Sequence, residues 1–551
     1  MTEHDSRFDL SIWRSSQDRI KMVIDPDCPR DILEIVIKHD LDDDVVFSTL
    51  IAKNVDDNLV AMVKDKYNLS DAEITKKQEI LKLRQTDLRS KVFCVVPWNH
   101  ISTTANGTIR MCCQMINPDG LAGEEHYGTV FKDNGNVLTT SDNITTNRNA
   151  HAWKKIRKEM LVGNRPAICK LCWDEEDNGI GSKREWTNNT FSELFDTAIE
   201  KTEADGSIKH EDFPIEHWDL RFGNKCNLAC RSCGPTDSNM WYKDWVALQE
   251  KNTFYNRGIG DINIDIDKNG KATVDPSIFE WYNQSAILDH LHKNINSVKR
   301  FYFTGGEPTI NHTHRKLLDF VIDEGLAKDI SLDYNTNMAG VPNAIFEQWK
   351  HFKEVNLGMS IDGIYEHFEY IRHPGKWSAV EKNMLRIDNE VGFDNVKASI
   401  TMTVSIMNVL HILDMQWWMK EQNWNRIDEP IIVHNLYGPV HLNTQNLSNE
   451  MKQYITDRYQ KFLTDIKRRW VNDHAWYNIV ETRLNSILTH MNSVEQNLDN
   501  WKSFFYTTEK LDKIRNENWK ISLPEIHNMI EYCNGLEARK KNVKLVRAGK
   551  K

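Results

Sequence analysis

A chain of 551 residues, 40% apolar and with 18 tryptophans, exceeds one hydrophobic core and is not the composition of a disordered chain. No stretch approaches the roughly 18 consecutive apolar residues that span a bilayer. The polar start Met1–Phe8 lacks the apolar core of a secretory signal, so a cytoplasmic protein without membrane contact is expected. The net charge of −10 argues against nucleic acid as the main partner, since phosphate binding needs concentrated Lys and Arg.

In chain order, residues 1–88 read as helical. Ile32, Leu33 and Val36, then Val46, Leu50 and Ile51, then Leu59, Met62 and Val63 recur at helical spacing. The phrases IDPDCPRDILEIVIKHD and IAKNVDDNLVAMVKDKY resemble two degenerate copies of one helix-pair repeat, with Cys28 as a small buried hydrophobe. Residues 89–200 are polar, rich in Asn, Thr and Gly, and hold five cysteines, which predicts a small ligand-stapled domain. From 214 to 445, short β-rich runs alternate with amphipathic helical segments. Strands are predicted at 217–224, 300–304, 330–335, 355–362, 397–405 and 429–435, and helices at 313–326, 343–353, 378–390 and 409–422. Six βα units in a row predict an α/β fold, a parallel sheet curved into a partial (βα)6 TIM-like barrel, with functional loops at the C-terminal strand ends. Residues 446–551 are helical and aromatic, and end in a basic tail of Arg539, Lys540, Lys541, Lys544, Arg547, Lys550 and Lys551, which reads as solvated.

Eight of the ten cysteines lie in close-set groups, which in a chain without an export signal points to metal or cluster ligation rather than disulfides. RFGNKCNLACRSCGP places Cys226, Cys230 and Cys233 at C-x3-C-x2-C spacing after a predicted strand. Thiolates are soft ligands that suit an iron–sulfur cluster or zinc. Three of them leave one iron of a [4Fe–4S] cluster open; a zinc site needs a distant fourth ligand. At the next predicted strand end stands FTGGEPTI, with Gly305, Gly306, Glu307 and Pro308. Two glycines admit close backbone approach, and a carboxylate pairs with an ammonium.

On these residues the segment resembles the radical S-adenosylmethionine (SAM) superfamily, whose members carry this cysteine spacing after the first barrel strand and a GGE motif after the second. The later strand ends agree in order: DYNTN (333–337), SIDG (360–363) followed by Arg372, and TVSIMN (403–408). The resemblance implies that Cys226, Cys230 and Cys233 hold an open [4Fe–4S] cluster and that the GGE motif binds the SAM amino group. It also implies that Ser360, with Asp362 and Arg372 beside it, faces the SAM carboxylate or ribose. Ser232 departs from the pattern, because an aromatic residue often stands there beside adenine, and the adenine contact is left unassigned.

Cys94, Gly107 and Cys112 at C-x12-G-x4-C spacing, followed by Cys169 and Cys172, resemble the SPASM/twitch auxiliary-cluster motif, with Cys113 as the rival of Cys112. No further cysteine stands near Asn178, which favours the single-cluster twitch form. Here the module precedes the barrel, whereas in most relatives it follows. A structural zinc knot is the alternative. The resemblance implies one-electron reduction of SAM to methionine and a 5′-deoxyadenosyl radical that takes hydrogen from a substrate, without a general base. Relatives act most often on peptides or proteins, and otherwise on small polar metabolites. A flavodoxin- or ferredoxin-type electron donor is implied. The rival readings are an RNA-modifying enzyme using the basic tail, and a non-catalytic zinc or iron–sulfur protein. DIDKNGKATVDP (265–276) starts like a calcium loop but carries Pro276 at its twelfth position, which favours a hairpin turn. His434 and Cys533 read as core residues.

Overall fold

Consecutive strands of βα units tend to lie beside one another, and those of this chain do so in order. The computed structural model describes residues 16–40, 42–75, 77–78, 91–115, 138–177, 181–256, 259–283, 285–427, 429–471 and 473–548. Met1–Phe8, Asn178, Lys550 and Lys551 lie outside them. The chain divides into two compact units, one of residues 1–98, 151–176 and 181–213, the other of 99–150, 177–180 and 214–551.

The second unit is built on an eight-stranded, mostly parallel sheet. Its strands are β1 (His100–Thr103), β2 (Ile109–Arg110), β3 (His217–Arg221), β4 (Arg300–Thr304), β5 (Ser331–Thr336), β6 (Glu354–Ser360), β7 (Val396–Val404) and β8 (Ile432–Asn435). From β4 to β8 each strand pairs in parallel with its predecessor in the sheet. β1 adds in parallel at the free edge of β3, and β2 closes that edge antiparallel. Beyond β4 the crossovers are the helices His312–Asp323, Asn343–Trp349, Trp377–Asn389 and His411–Glu421, with an extra helix Tyr365–Ile371 after β6.

Burial alternates along β6 and β7, so the two faces of the sheet differ in kind. Leu357, Met359, Ile400 and Met402 lie buried on one face, whereas Asn356, Ser360, Thr401 and Thr403 on the other stay partly exposed. Aromatic contacts thicken the apolar layer, with Phe303 tilted against Tyr334 at 5.3 Å and Tyr334 edge-on to Trp349 at 5.4 Å. Asn311 caps the helix His312–Asp323 by accepting from the backbone of Thr313 and His314, and it donates to the Phe222 carbonyl. The stretch 265–276 contains the small hairpin Asp265–Ile266 with Ala272–Thr273; the Asp267 carboxylate accepts from the backbone N–H groups of Asn269 and Lys271, a turn. The C-terminal region forms helices Asn449–Arg469, His474–Asn492, Leu498–Arg515, Trp519–Ser522 and Pro524–Ala548.

The first unit contains the helices Ser16–Ile24, Arg30–His39, Asp43–Ser48 and Asp57–Tyr67 around a core that includes Val23, Cys28, Leu33, Val36, Leu50, Leu59 and Val63. The two repeat-like phrases supply the second and fourth of these helices. Among the described residues no helix is long and apolar enough to cross a membrane.

Candidate functional site

The loop after β3 carries Cys226, Cys230 and Cys233 without regular structure of its own, so its shape is set by what it bonds to. The Cys226 N–H donates to Asn239 Oδ1 at 2.9 Å, the Ser238 hydroxyl to the Leu228 carbonyl at 2.6 Å, and the Trp241 indole N–H to the Cys230 carbonyl at 2.9 Å. From the end of the helix Tyr365–Ile371, the Ile371 and His373 carbonyls accept from the backbone of Arg231 and Ala229 at 2.8 and 2.6 Å. Burial pushes the Cys226 thiol up to about 12, with the Cys230 sulfur and the Glu307 carboxylate adding to the effect. The Cys233 thiol donates toward Cys230, which lowers Cys230 and raises Cys233, and the Arg372 guanidinium lies 3.8 Å from the Cys230 sulfur. Three converging sulfurs with no further cysteine between 173 and 532 are a donor set suited to a cluster with one open iron.

The Gly305–Gly306–Glu307 turn is laid against that loop. The Glu307 N–H donates to the Lys225 carbonyl at 2.8 Å, and a Cβ on Gly306 would stand 2.1 Å from that same oxygen. Gly305 has φ +104°, open to glycine and strained for other residues. Glu307 itself is buried, and burial raises its carboxyl above the usual range. Its Oε1 accepts from the Thr309 N–H, the Thr309 hydroxyl and the Thr336 hydroxyl, while Oε2 accepts from the Asn337 N–H at 2.7 Å. Each carboxylate oxygen has two lone pairs, so Oε2 is the atom with capacity left for an ammonium. Asn337 also donates to Asn227 Oδ1 at 2.8 Å, which ties the end of β5 to the cysteine loop. Pro308 opens the short turn that leads into Asn311.

Ser360 ends β6, partly exposed. Asp362 and Arg372 face each other at 2.8 Å, both buried; Asp362 also accepts from the Thr403 N–H at 2.8 Å. Five successive strand ends, β3 to β7, thus contribute to one region, and it holds Cys226, Cys230, Cys233, Gly305, Gly306, Glu307, Ser360, Asp362 and Arg372.

In the first unit Cys94, Cys169 and Cys172 interact. Burial pushes Cys94 up to about 12 and Cys172 to about 11, and Cys169 rises well above its ordinary value, with the other two sulfurs adding. Arg184 lies beside them, held by Glu176 at 2.6 Å and donating to the Phe93 carbonyl at 2.8 Å. Cys112 and Cys113 belong to the second unit, just after β2, where both sulfurs lie near the Arg110 guanidinium.

No protein-family model matches the chain, and no curated protein matches it. Among solved structures, native anSMEcpe with bound AdoMet aligns at 16% identity over 46% of this chain and 59% of that one, with a TM-score of 0.28. Streptococcus suis SuiB bound to S-adenosylmethionine aligns at 16% identity over 54% and 57%, with a TM-score of 0.30. The same SuiB bound to precursor peptide SuiA aligns at 13% identity over 60% and 67%, with a TM-score of 0.28. The chain spans less than two thirds of the length of the first two. Scores this low carry no weight for its activity.

Beyond the strand ends, the half-exposed face of the sheet is mostly polar, with Ile432 of β8 an apolar exception. Arg300 pairs with Asp333 at 2.6 Å, Asn356 donates to Asp333 at 2.9 Å, and Lys397 pairs with Glu354 at 2.8 Å, which links β4 to β7. Toward the cysteine end come Tyr302 and Asn335, joined at 2.8 Å, then Ser360, Thr401, Thr403 and the exposed His434. Burial of the ring nitrogens among protein atoms, with the Arg483 guanidinium adding, lowers His434. The sequence reading missed Asn227, Asn239 and Arg231, which carry no motif of their own.

His367, His411 and Glu525 form the one further group of metal-capable side chains among the described residues. The two imidazoles stack face to face at 3.6 Å and 3°, so their nitrogen lone pairs do not aim at one point, and His367 bonds Glu525 at 2.8 Å. The group is a hydrogen-bonding and stacking contact between helices.

Proposed function

We propose that the chain is a radical SAM enzyme, with residues 214–445 forming a partial barrel that carries the chemistry. The observation that supports this reading is the stitching of the three-cysteine loop to the Gly305–Gly306–Glu307 turn through the Lys225 carbonyl at 2.8 Å. A zinc knot has no use for a glycine turn pressed against its ligand loop, or for a buried carboxylate beside it. When bound, the open cluster would supply the electron that splits SAM into methionine and a 5′-deoxyadenosyl radical, which takes a hydrogen atom from the substrate.

The protein's part is to bind and orient. Cys226, Cys230 and Cys233 would hold three irons, and Arg372, neutralised by Asp362, directs an N–H toward the Cys230 sulfur. Glu307 Oε2 and the turn's backbone would receive the SAM ammonium, with Ser360 toward its carboxylate or ribose. Cys94, Cys169 and Cys172 are the proposed holders of an auxiliary cluster in the first unit; Cys112, expected with them, belongs to the second. The inner face of a TIM barrel is usually filled with branched apolar side chains. Here it offers Tyr302, Asn335, Thr401, Thr403 and His434, which supports a substrate rich in hydrogen-bonding groups, with a peptide or protein first and a small polar metabolite second.

The test is SAM turnover. Anaerobically reconstituted protein with dithionite is expected to release 5′-deoxyadenosine and methionine in equal amounts, and the Cys230→Ala variant none. Absence of 5′-deoxyadenosine from protein that carries a full iron complement would refute the reading.

A further inference from the structure

The cysteine loop is held from behind by a part of the chain almost 300 residues away. Arg231 stands between Cys230 and Cys233, with its side chain only 1% exposed. Its guanidinium makes ion pairs at 2.5 Å with both Asp512 and Glu517, donates through Nε to the Tyr370 carbonyl at 3.2 Å, and lies 3.7 Å over the Tyr370 ring. The carboxylates are themselves fixed. Asp512 accepts from the Tyr370 hydroxyl at 2.9 Å and from the Trp519 N–H at 2.7 Å, and Glu517 pairs with His373 at 2.7 Å.

A second arm comes from the same helix. Arg515, paired with Asp244 at 2.8 Å, donates to the Ala229 carbonyl at 2.9 Å. Leu511 completes an apolar cluster with Ala229, Trp241 and Leu248, against which Cys233 and Ile514 pack. The helix Leu498–Arg515 and the turn to Trp519 therefore touch the loop at Ala229, Arg231 and Cys233, interleaved with two of the three ligands.

We infer that this C-terminal segment is the positioning element of the three-cysteine loop, with Arg231 as its anchor. This rests on the reading that the loop holds a cluster. A buried guanidinium is stable only while its partners stay paired and bonded. The loop is thus locked into one shape before any ligand binds, which is what a site of irregular backbone needs. Metal sites lose about 10- to 100-fold in affinity when a partner that orients a ligand is removed. Arg231→Met keeps the length and apolar stem and deletes the anchor.

The experiment uses the full chain, reconstituted anaerobically, and follows iron release to bathophenanthroline disulfonate from the cluster whose electron paramagnetic resonance responds to SAM. Release from Arg231→Met is expected at least about 10-fold faster than from the unsubstituted chain. The Arg231→Lys variant should recover part of the loss. The far-ultraviolet circular dichroism of the metal-free chain should be unaltered. Unchanged release and an unchanged SAM response in Arg231→Met would overturn the inference. Should Arg231→Met lose its dichroism, Glu517→Gln takes its place, because that carboxylate sits at the edge of the cluster and Asp512 remains; an unaltered release rate there also overturns it. If the unsubstituted chain holds zinc and no SAM-responsive iron, the enzyme reading fails separately. The anchor is then decided by zinc release from the same variants.

Discussion

Gly306 shows how tightly one residue can bind two loops together. A Cβ there would lie 2.1 Å from the Lys225 oxygen and 2.5 Å from its carbonyl carbon, both backbone atoms with no side-chain freedom to retreat. Gly306→Ala must therefore push the cysteine loop away from the turn. A misplacement of about 1 Å costs on the order of 100-fold in rate, and 5′-deoxyadenosine formation should fall by about that factor while the cluster still assembles. The cysteine spacing and the Gly-Gly-Glu turn are legible in the sequence because each is a run of neighbouring residues whose chemistry is local. Arg231 is not, since Asp512 and Glu517 lie 281 and 286 residues further on and an arginine among cysteines has no pattern of its own. Asp362 and Arg372, expected beside SAM, also pair with each other, a contact that no spacing rule reveals.

Each of the six strands read between 217 and 435 appears within three residues of its expected bounds, because alternation of apolar and polar residues is a strong period-2 signal. β1 was not foreseen. His100–Thr103 has three polar residues in four and no length to show a period, yet it is buried throughout beside β3. The helix His312–Asp323 supports a test at this scale. His314 is buried against the Tyr334 hydroxyl at 2.8 Å, and burial lowers it from 6.5 to about 3. The unfolded chain takes up a proton at pH 6.5 that the folded one refuses until about 3, so stability falls with acidification across that window. His411, likewise lowered to about 3, adds the same sign. In urea denaturation of the metal-free chain, His314→Gln should make the acid limb shallower by up to about 1.4 kcal/mol per pH unit. An unchanged slope would show that His314 is protonated in the fold.

Across the whole molecule, the two units each gather three cysteines, Cys94, Cys169 and Cys172 in one and Cys226, Cys230 and Cys233 in the other. Cys226, Cys230 and Cys233, and Cys169 with Cys172, stand out by their close spacing; Cys94 lies far earlier in the chain, and Cys112, expected as a fourth ligand beside it, falls in the other unit. The role of the C-terminal helices was not, because aromatic helical sequence reads as ordinary core wherever it packs. The central claim is that the second group holds an open, SAM-binding cluster. Iron analysis and electron paramagnetic resonance of anaerobically reconstituted protein, with and without SAM, test it beside a variant in which Cys226, Cys230 and Cys233 are all alanine. The account predicts about eight irons per chain, about four in the variant, and a SAM-induced spectral change in the unsubstituted protein alone. Zinc in place of iron, or a spectrum indifferent to SAM, would contradict it.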